Sequence, residues 1–278
     1  MRGAETRLEG LSVQWEELTA SDFPEAVARS RGVCVLPLGV IEKHGPHLPL
    51  GTDVMVAREI ALRAASREYV VVFPSYYFGQ IWEARHQPGC ITLPPELLTP
   101  LLQAVCDEIH RNGFRKTAIL SGHGGNRAWL SYFCQSQLAS RRQYAVLVAG
   151  RSLGAEVEAQ LERMRKSEVT GHADEQETSL LQQIRPDLVN LARASTESGL
   201  PQGRLGDLTD SAFTGIAWYA DFPNHYAGIA ADATTELGSF VLEAEVRSLV
   251  QVLRLLKEDQ ETIPLQNEFF ARSERPLG

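Results

Sequence analysis

Between residues 33 and 38 the chain reads Val33-Cys34-Val35-Leu36-Pro37-Leu38, apolar at every position. A strand with one wet face alternates apolar and polar residues, so an unbroken apolar run needs cover on both faces, the condition of a strand inside a parallel sheet. Three more strand-like runs follow, from Tyr69 to Pro74, Lys116 to Ser121 and Tyr144 to Ala149. Helical spacing fills the gaps. Val56, Ile60, Leu62 and Ala65 mark one helix over Val54 to Arg67, and a third helix is predicted from about Arg127 to Ser140. Between these, Thr99 followed by Pro100 reads as a helix start and Gly113 as its stop, with Leu101, Leu102, Val105 and Ile109 on one face. The order β-α-β-α-β-α-β over the first 150 residues predicts an α/β fold, a three-layer αβα sandwich around a mainly parallel sheet.

Beyond this core, Gly154 to Lys166 and Glu175 to Arg185 read as helices. The stretch from Ala192 to His225 is rich in loops, with glycines and prolines among aromatics, and reads as a segment covering a site. From about Thr235 to Asp259, Leu237, Val241, Leu242, Val246, Leu249, Val250, Leu253 and Leu256 share one helical face, which should pack on the sheet. A single domain over residues 1–278 is expected, with its core at about 30–258 and a C-terminal tail at 259–278.

Charge and composition narrow the partners. The formal net charge is −8 and the basic residues form no stripe, which argues against a nucleic-acid surface and for a small-molecule substrate. No stretch nears the ~18 consecutive apolar residues of a membrane span. Met1 to Gly10 resembles neither a secretory signal nor a transit peptide, so a cytoplasmic enzyme is expected. Cys34, Cys90, Cys106 and Cys134 lie far apart without a CxxC pair and read as free, buried thiols.

The chemistry gathers where predicted strands end. Glu42 and His44 are two residues apart, so in extended backbone their side chains point the same way, as two ligands of one metal would. Gly45, Pro46, Pro49 and Gly51 fold the loop back to bring Asp53 close, and a carboxylate there can bridge two cations. A second candidate is Gly122-His123-Gly124-Gly125-Asn126, where glycines let the backbone turn sharply around one histidine. The third is Gly171-His172-Ala173-Asp174-Glu175-Gln176-Glu177-Thr178-Ser179, a crowd of ligands and proton carriers at a helix entrance. Each taken alone has a plainer reading: a hydrogen-bonded histidine, a phosphate-cradling turn, or acidic residues facing a helix dipole. All three at one end of one sheet fit a metal-activated hydrolase better.

These residues also carry a resemblance. The run from Glu42-Lys43-His44-Gly45-Pro46-His47 through Gly51-Thr52-Asp53, then Gly122-His123-Gly124-Gly125-Asn126, then His172 with Glu177-Thr178-Ser179, resembles the creatininase family. Tyr226-Ala227-Gly228 and Ala233-Thr234-Thr235-Glu236-Leu237-Gly238 extend the likeness to about residue 257. The resemblance implies an amidohydrolase with two divalent metal ions, zinc, manganese or iron. Asp53 would bridge them, Glu42 and His123 would complete one, and His44 and Glu177 the other. His172 would carry a proton to the leaving nitrogen, with Glu175 orienting it or helping to bind metal. A homo-oligomer, a hexamer by resemblance, is implied as well.

Two departures point away from creatinine itself. Where creatininase proper has a ligand glutamate two residues after the loop histidine, this chain has Gly125, and in place of a Trp-Asp pair before the catalytic histidine it has Val169, Thr170 and Gly171. Family relatives also act on formamides, a mycofactocin precursor and oxidised inositols, so a keto-inositol hydrolase is the alternative enzyme. A non-catalytic binding protein on the same fold is the alternative of another class. Glu83, Arg85 and His86 are a candidate specificity set, and Arg85 would suit an acidic or hydroxylated substrate. Trp218 and Tyr219, with Asp221, Asn224, His225 and Tyr226, form a second cluster that would line the pocket of this or a neighbouring subunit.

Overall fold

The structure, a computed structural model of the chain, describes residues 7–8, 10–150 and 153–277. A short antiparallel pair, β1 (Arg7–Leu8) and β2 (Leu11–Ser12), and helix α1 (Phe23–Arg29) lead into the main sheet. That sheet holds β3 (Val33–Leu38), β4 (Val71–Val72), β5 (Lys116–Ser121) and β6 (Ala145–Ala149), all parallel, in the order β4-β3-β5-β6. Every residue of β3 is buried, because the strand has a neighbour on each side and helices on each face. Cys34 pairs across to Val71 on one side and Thr117 on the other.

The strand order fixes the layers. From β3 the chain steps outward through α2 (Thr52–Arg67) to β4, then turns back past β3 through α3 (Pro95–Arg111) to β5, and continues through α4 (Asn126–Ser136) to β6. Right-handed crossovers in opposite directions put α2 on one face of the sheet and α3 and α4 on the other. Following β6 come α5 (Ala155–Met164), α6 (Glu175–Ile184), the short α7 (Leu208–Ser211) and α8 (Ala217–Asp221), then α9 (Thr235–Glu258) and α10 (Thr262–Ser273). Helix α9 packs on α6, α2 and β3, which completes the αβα sandwich. The Thr234 hydroxyl caps it by accepting from the Leu237 amide at 3.2 Å, and all eight apolar residues expected on its inner face are buried.

Some boundaries differ from the sequence reading for identifiable reasons. Helix α3 begins at Pro95, four residues before the expected Thr99 cap, because Pro95 offers the same fixed φ at a first helical position. The helix then runs through Pro100, giving up only the bond that proline cannot donate to Glu96. Strand β4 keeps two residues of the expected six; its outer edge meets the chain near Val13, whose carbonyl accepts from Val72 at 2.7 Å. The C-terminal tail carries α10. All four cysteines are free, Cys34 and Cys106 buried and Cys90 and Cys134 partly so. No helix among the described residues is long and apolar enough to cross a membrane. Most of the opening segment, residues 1–6 and 9, lies outside the described residues.

Candidate metal centre

In an open parallel sheet a crevice forms beyond the strand ends where successive connections depart in opposite directions. Here that point lies between β3 and β5. The loop leaving β3 carries Glu42 and His44, the exit of β5 carries His123, and Asp53 stands in the first turn of α2. The exits are pressed together: a Cβ at Gly122 would run into the carbonyl of Asp53. Glu42, His44 and Asp53 are almost wholly buried, and His123 nearly so.

The hydrogen-bond directions around the histidines decide what this cluster suits. His44 Nδ1 lies 3.2 Å from the Glu42 carbonyl, an acceptor, so Nδ1 carries the proton and Nε2 presents a lone pair 2.9 Å from Asp53 Oδ1. His123 Nε2 lies 3.1 Å from the Gln80 carbonyl, so its Nδ1 faces Glu42 Oε1 at 2.7 Å and Asp53 Oδ2 at 3.4 Å. His172 Nε2 lies 2.7 Å from the Lys43 carbonyl, leaving Nδ1 open. Neutral rings would therefore aim bare nitrogens at carboxylates, a repulsion that either a proton or a cation between them relieves. Glu42 Oε1 and Asp53 Oδ2, both buried, have no hydrogen-bond partner among the described residues, as ligand oxygens awaiting a cation would not.

Titration behaviour follows the same logic. Burial opposes charge on His44, yet Asp53 and Glu42 raise it to about 10. Burial likewise opposes charge on His123, and Glu42 with Asp53 lifts it well above the ordinary range. Glu42, despite burial, is held well below the carboxylate range by His123 and His172. Protons thus do in the bare protein what divalent cations would do better. Among the described residues two groups of potential ligands emerge, Glu42 with Asp53 and His123, and Glu42 with His44 and His172. Asp53 turns one oxygen to each of His44 and His123.

The third loop arrives on strained backbone. Ala173 adopts φ 56°, a left-handed conformation that costs a residue with a Cβ about 1 kcal/mol. This turn sets His172 against Lys43 while the Ala173 amide donates to Glu177 Oε2 at 2.6 Å. Glu177 Oε2 is 3.9 Å from His172 Nδ1. Burial and the carboxylates of Asp174 and Asp53 keep the Glu177 carboxyl above its ordinary range, against the pull of His44. Asp174 caps α6 by accepting from the Gln176 and Glu177 amides. Glu175 is not brought to His172. Its carboxylate accepts from the Lys166 and Ser167 amides, at 3.0 and 2.7 Å, and holds that turn.

From the other side comes the segment ending at His225. Trp218 Nε1 donates to His225 Nδ1 at 2.9 Å, and His225 Nε2 meets Glu42 Oε2 at 2.5 Å. His225 is the residue that sequence reasoning places only in a general aromatic cluster; its signal is a histidine immediately before the Tyr226-Ala227-Gly228 motif. The expected specificity residues spread out. Tyr219 stacks edge-on against His86, whose Nε2 lies 2.7 Å from the Pro223 carbonyl. Glu83 accepts from the Gln80 side-chain Nε2 at 2.6 Å, and Arg85 is exposed. Gly125 has a close-range reason: a Cβ there would press on the His123 ring. Beside Asp53 and Glu177 opens a cavity of about 150 Å³, also lined by Ser121, Gln176 and Glu245, whose carboxyl burial raises to about 7.

Comparison with known proteins finds relatives of this chain. The family model for creatininase, described as creatinine amidohydrolase, matches residues 16–253. A creatinine amidohydrolase of Pseudomonas putida is 27% identical over 191 residues, 64% of this chain and 74% of the relative. A 3-dehydro-scyllo-inosose hydrolase of Thermotoga maritima is 23% identical over 267 residues, 88% of this chain and 84% of the relative. Among solved structures, a zinc–zinc type of a creatininase point mutant superposes with a TM-score of 0.72 at 24% identity, covering 90% of this chain and all of that one. A manganese form of creatininase matches as well, with a TM-score of 0.71.

Proposed function

The chain belongs to the creatininase family of hydrolases, and from that premise we propose that it uses two divalent cations to cleave an amide-like C–N bond in a small, cyclic or linear substrate. The observation that carries the reading is the gathering of His44 Nε2, His123 Nδ1 and the buried oxygens of Glu42 and Asp53 within ligating reach of one another, with Glu42 Oε1 and Asp53 Oδ2 left without a hydrogen-bond partner among the described residues. Glu42 and His123 would hold one cation, His44 and Glu177 the other, and Asp53 would stand between them, a set of nitrogen and oxygen ligands that suits zinc, manganese or iron. A cation pair supplies an activated water at neutral pH and polarises the carbonyl it attacks. The protein's own part is proton handling and placement. His172, fixed through Nε2 to the Lys43 carbonyl, keeps Nδ1 free to take up a proton and pass it to the leaving nitrogen.

Metal analysis of the purified protein should find about two equivalents of transition metal per chain. Asp53→Ala should lose part of that metal and at least about 100-fold in kcat/KM, beyond the usual cost of an outer-shell change. A fully active Asp53→Ala enzyme would sink the two-cation reading.

A second substrate class has its own support. The Thermotoga relative, named for a keto-inositol, aligns over 88% of this chain, and Gly125 removes the glutamate that creatininase proper would place beside His123. Turnover of a keto-inositol, measured beside creatinine, lactams and N-formyl compounds, separates a ring C–C hydrolase from an amidohydrolase. The match across 16–253 supports a single domain. We also propose a cytoplasmic homo-oligomer, up to a hexamer; exposed Leu200, Leu208, Phe213 and Ile216 support a subunit contact, and light scattering measures the mass.

A further inference from the structure

We infer that His225 is a positioning residue for the metal centre: with Trp218 it forms a hydrogen-bond relay that fixes the Glu42 carboxylate in its ligating orientation. The inference rests on the two-cation reading for what Glu42 holds, and on the structure for how Glu42 is held.

The relay has only one proton arrangement. Indole Nε1 is always a donor, so His225 Nδ1, 2.9 Å away, must accept. The ring is then neutral with its proton on Nε2, which donates to Glu42 Oε2 at 2.5 Å. With that hydrogen in place Nε2 has no lone pair for a cation, so His225 acts on the centre through Glu42 and is not itself a ligand. Occupying Oε2 leaves Oε1 as the free oxygen, and Oε1 is the atom that faces His123 Nδ1 at 2.7 Å and has no hydrogen-bond partner among the described residues. His225 thereby selects which carboxylate oxygen meets the cation.

Backbone strain gives an independent sign. His225 sits at φ 54° while 2% exposed, and a histidine held in the left-handed region persists only where its surroundings enforce it. The enforcing contacts are the relay itself and the Phe222 carbonyl, which accepts from the His225 amide at 2.9 Å. Two residues earlier, the Pro223 carbonyl accepts from His86 and from Gln87, at 2.7 and 2.9 Å. The segment that covers the site is thus clasped to the loop after β4 and, through His225, to a ligand of the centre.

The test titrates zinc alone into the metal-stripped full-length chain. His225→Ala should weaken zinc affinity by about 10- to 100-fold, the range for groups that orient a ligand. His225→Gln, whose amide N–H can still reach Glu42, should recover most of that loss. Trp218→Phe should cost less and, in NMR of the 15N-histidine-labelled protein, should shift His225 from a single Nε2–H tautomer to a mixture. Circular dichroism and the melting midpoint confirm that each variant folds. Wild-type zinc affinity in folded His225→Ala, or a Gln variant no better than Ala, would overturn the inference. A wild-type chain that takes up no transition metal overturns the two-cation reading instead, while the tautomer and its dependence on Trp218 still report on the relay.

Discussion

The loops that leave β3 and β5 and the segment from residue 192 to 228 reach the same site by different physics. The first group is carried there by the sheet: strand order alone brings Glu42, His44 and His123 to one crevice, and α2 adds Asp53 as it starts. The second has no sheet to carry it. It arrives on short turns, with His225 in a strained conformation, and is held by side chains meeting carbonyls, as where His86 and Gln87 reach Pro223, and by an isolated backbone bridge between Ala227 and His172. One part of the site is inherited from the fold and the other is assembled on top of it. Stability should therefore concentrate in the first part and tolerate change in the second.

The sharpest way to break this contrast is in the sheet itself. Leu36 is fully buried at the centre of β3, and Leu36→Ala should lower the unfolding free energy by about 2 to 5 kcal/mol in urea titration. A loss under about 1 kcal/mol would mean that the sheet is not the rigid half. Next is Gly122→Ala, whose Cβ would drive the exit of β5 away from Asp53. It should cost about 1 to 3 kcal/mol and also weaken metal uptake, linking scaffold to site in one variant.

A smaller effect tests the far end of β5, where Asp259 lies 2.9 Å from Lys116 Nζ and accepts the Glu261 and Thr262 amides. Burial works against its charge, but those partners hold its carboxyl below the ordinary range. A carboxyl depressed in the folded state adds stability that is complete above its unfolded pKa and is lost as pH falls through the folded one. Asp259→Asn should thus cost about 1 kcal/mol at neutral pH, and its gap from the wild type should close as pH drops below about 4. A gap that stays constant into acid would rule out the ion pair as its source. Last, Phe213, 98% exposed in the covering segment, should accept serine within about 0.5 kcal/mol of monomer stability. A larger loss would show that the cover is part of the folding core.

The same contrast explains what could be read from sequence. Strands β3 and β5 have the bounds their residue runs suggest, and α9 buries its whole expected face, since burial writes periodicity directly into side-chain choice. The start of α3 was obscured by two prolines, Pro95 and Pro100, either of which suits a first helical turn. Glu42, His44, Asp53 and His123 stood out because each lies just past a strand or opens a helix. Glu175 looked equivalent to its neighbours in sequence, yet its place in α6 turns the carboxylate to the Lys166 and Ser167 amides. His225 is far from the others along the chain and reaches them only through tertiary packing, which no local pattern encodes. Its partner Trp218 was legible as an aromatic near a pocket but not as a donor to a particular nitrogen.

One dipeptide in the loop after β3 has a wider reach than its size suggests. The Glu42 carbonyl accepts from His44, the Lys43 carbonyl accepts from His172, and the Glu42 side chain accepts from His225. Three imidazoles from three regions of the chain therefore take their orientation from two consecutive residues. The three acceptors are separate groups, two carbonyls on successive peptides and one carboxylate, so this short stretch of backbone fixes each ring by its own bond. A cation held by Glu42 would therefore also order the backbone that His44 and His172 lean on, and ordering part of a site in advance lowers the entropy cost of completing it.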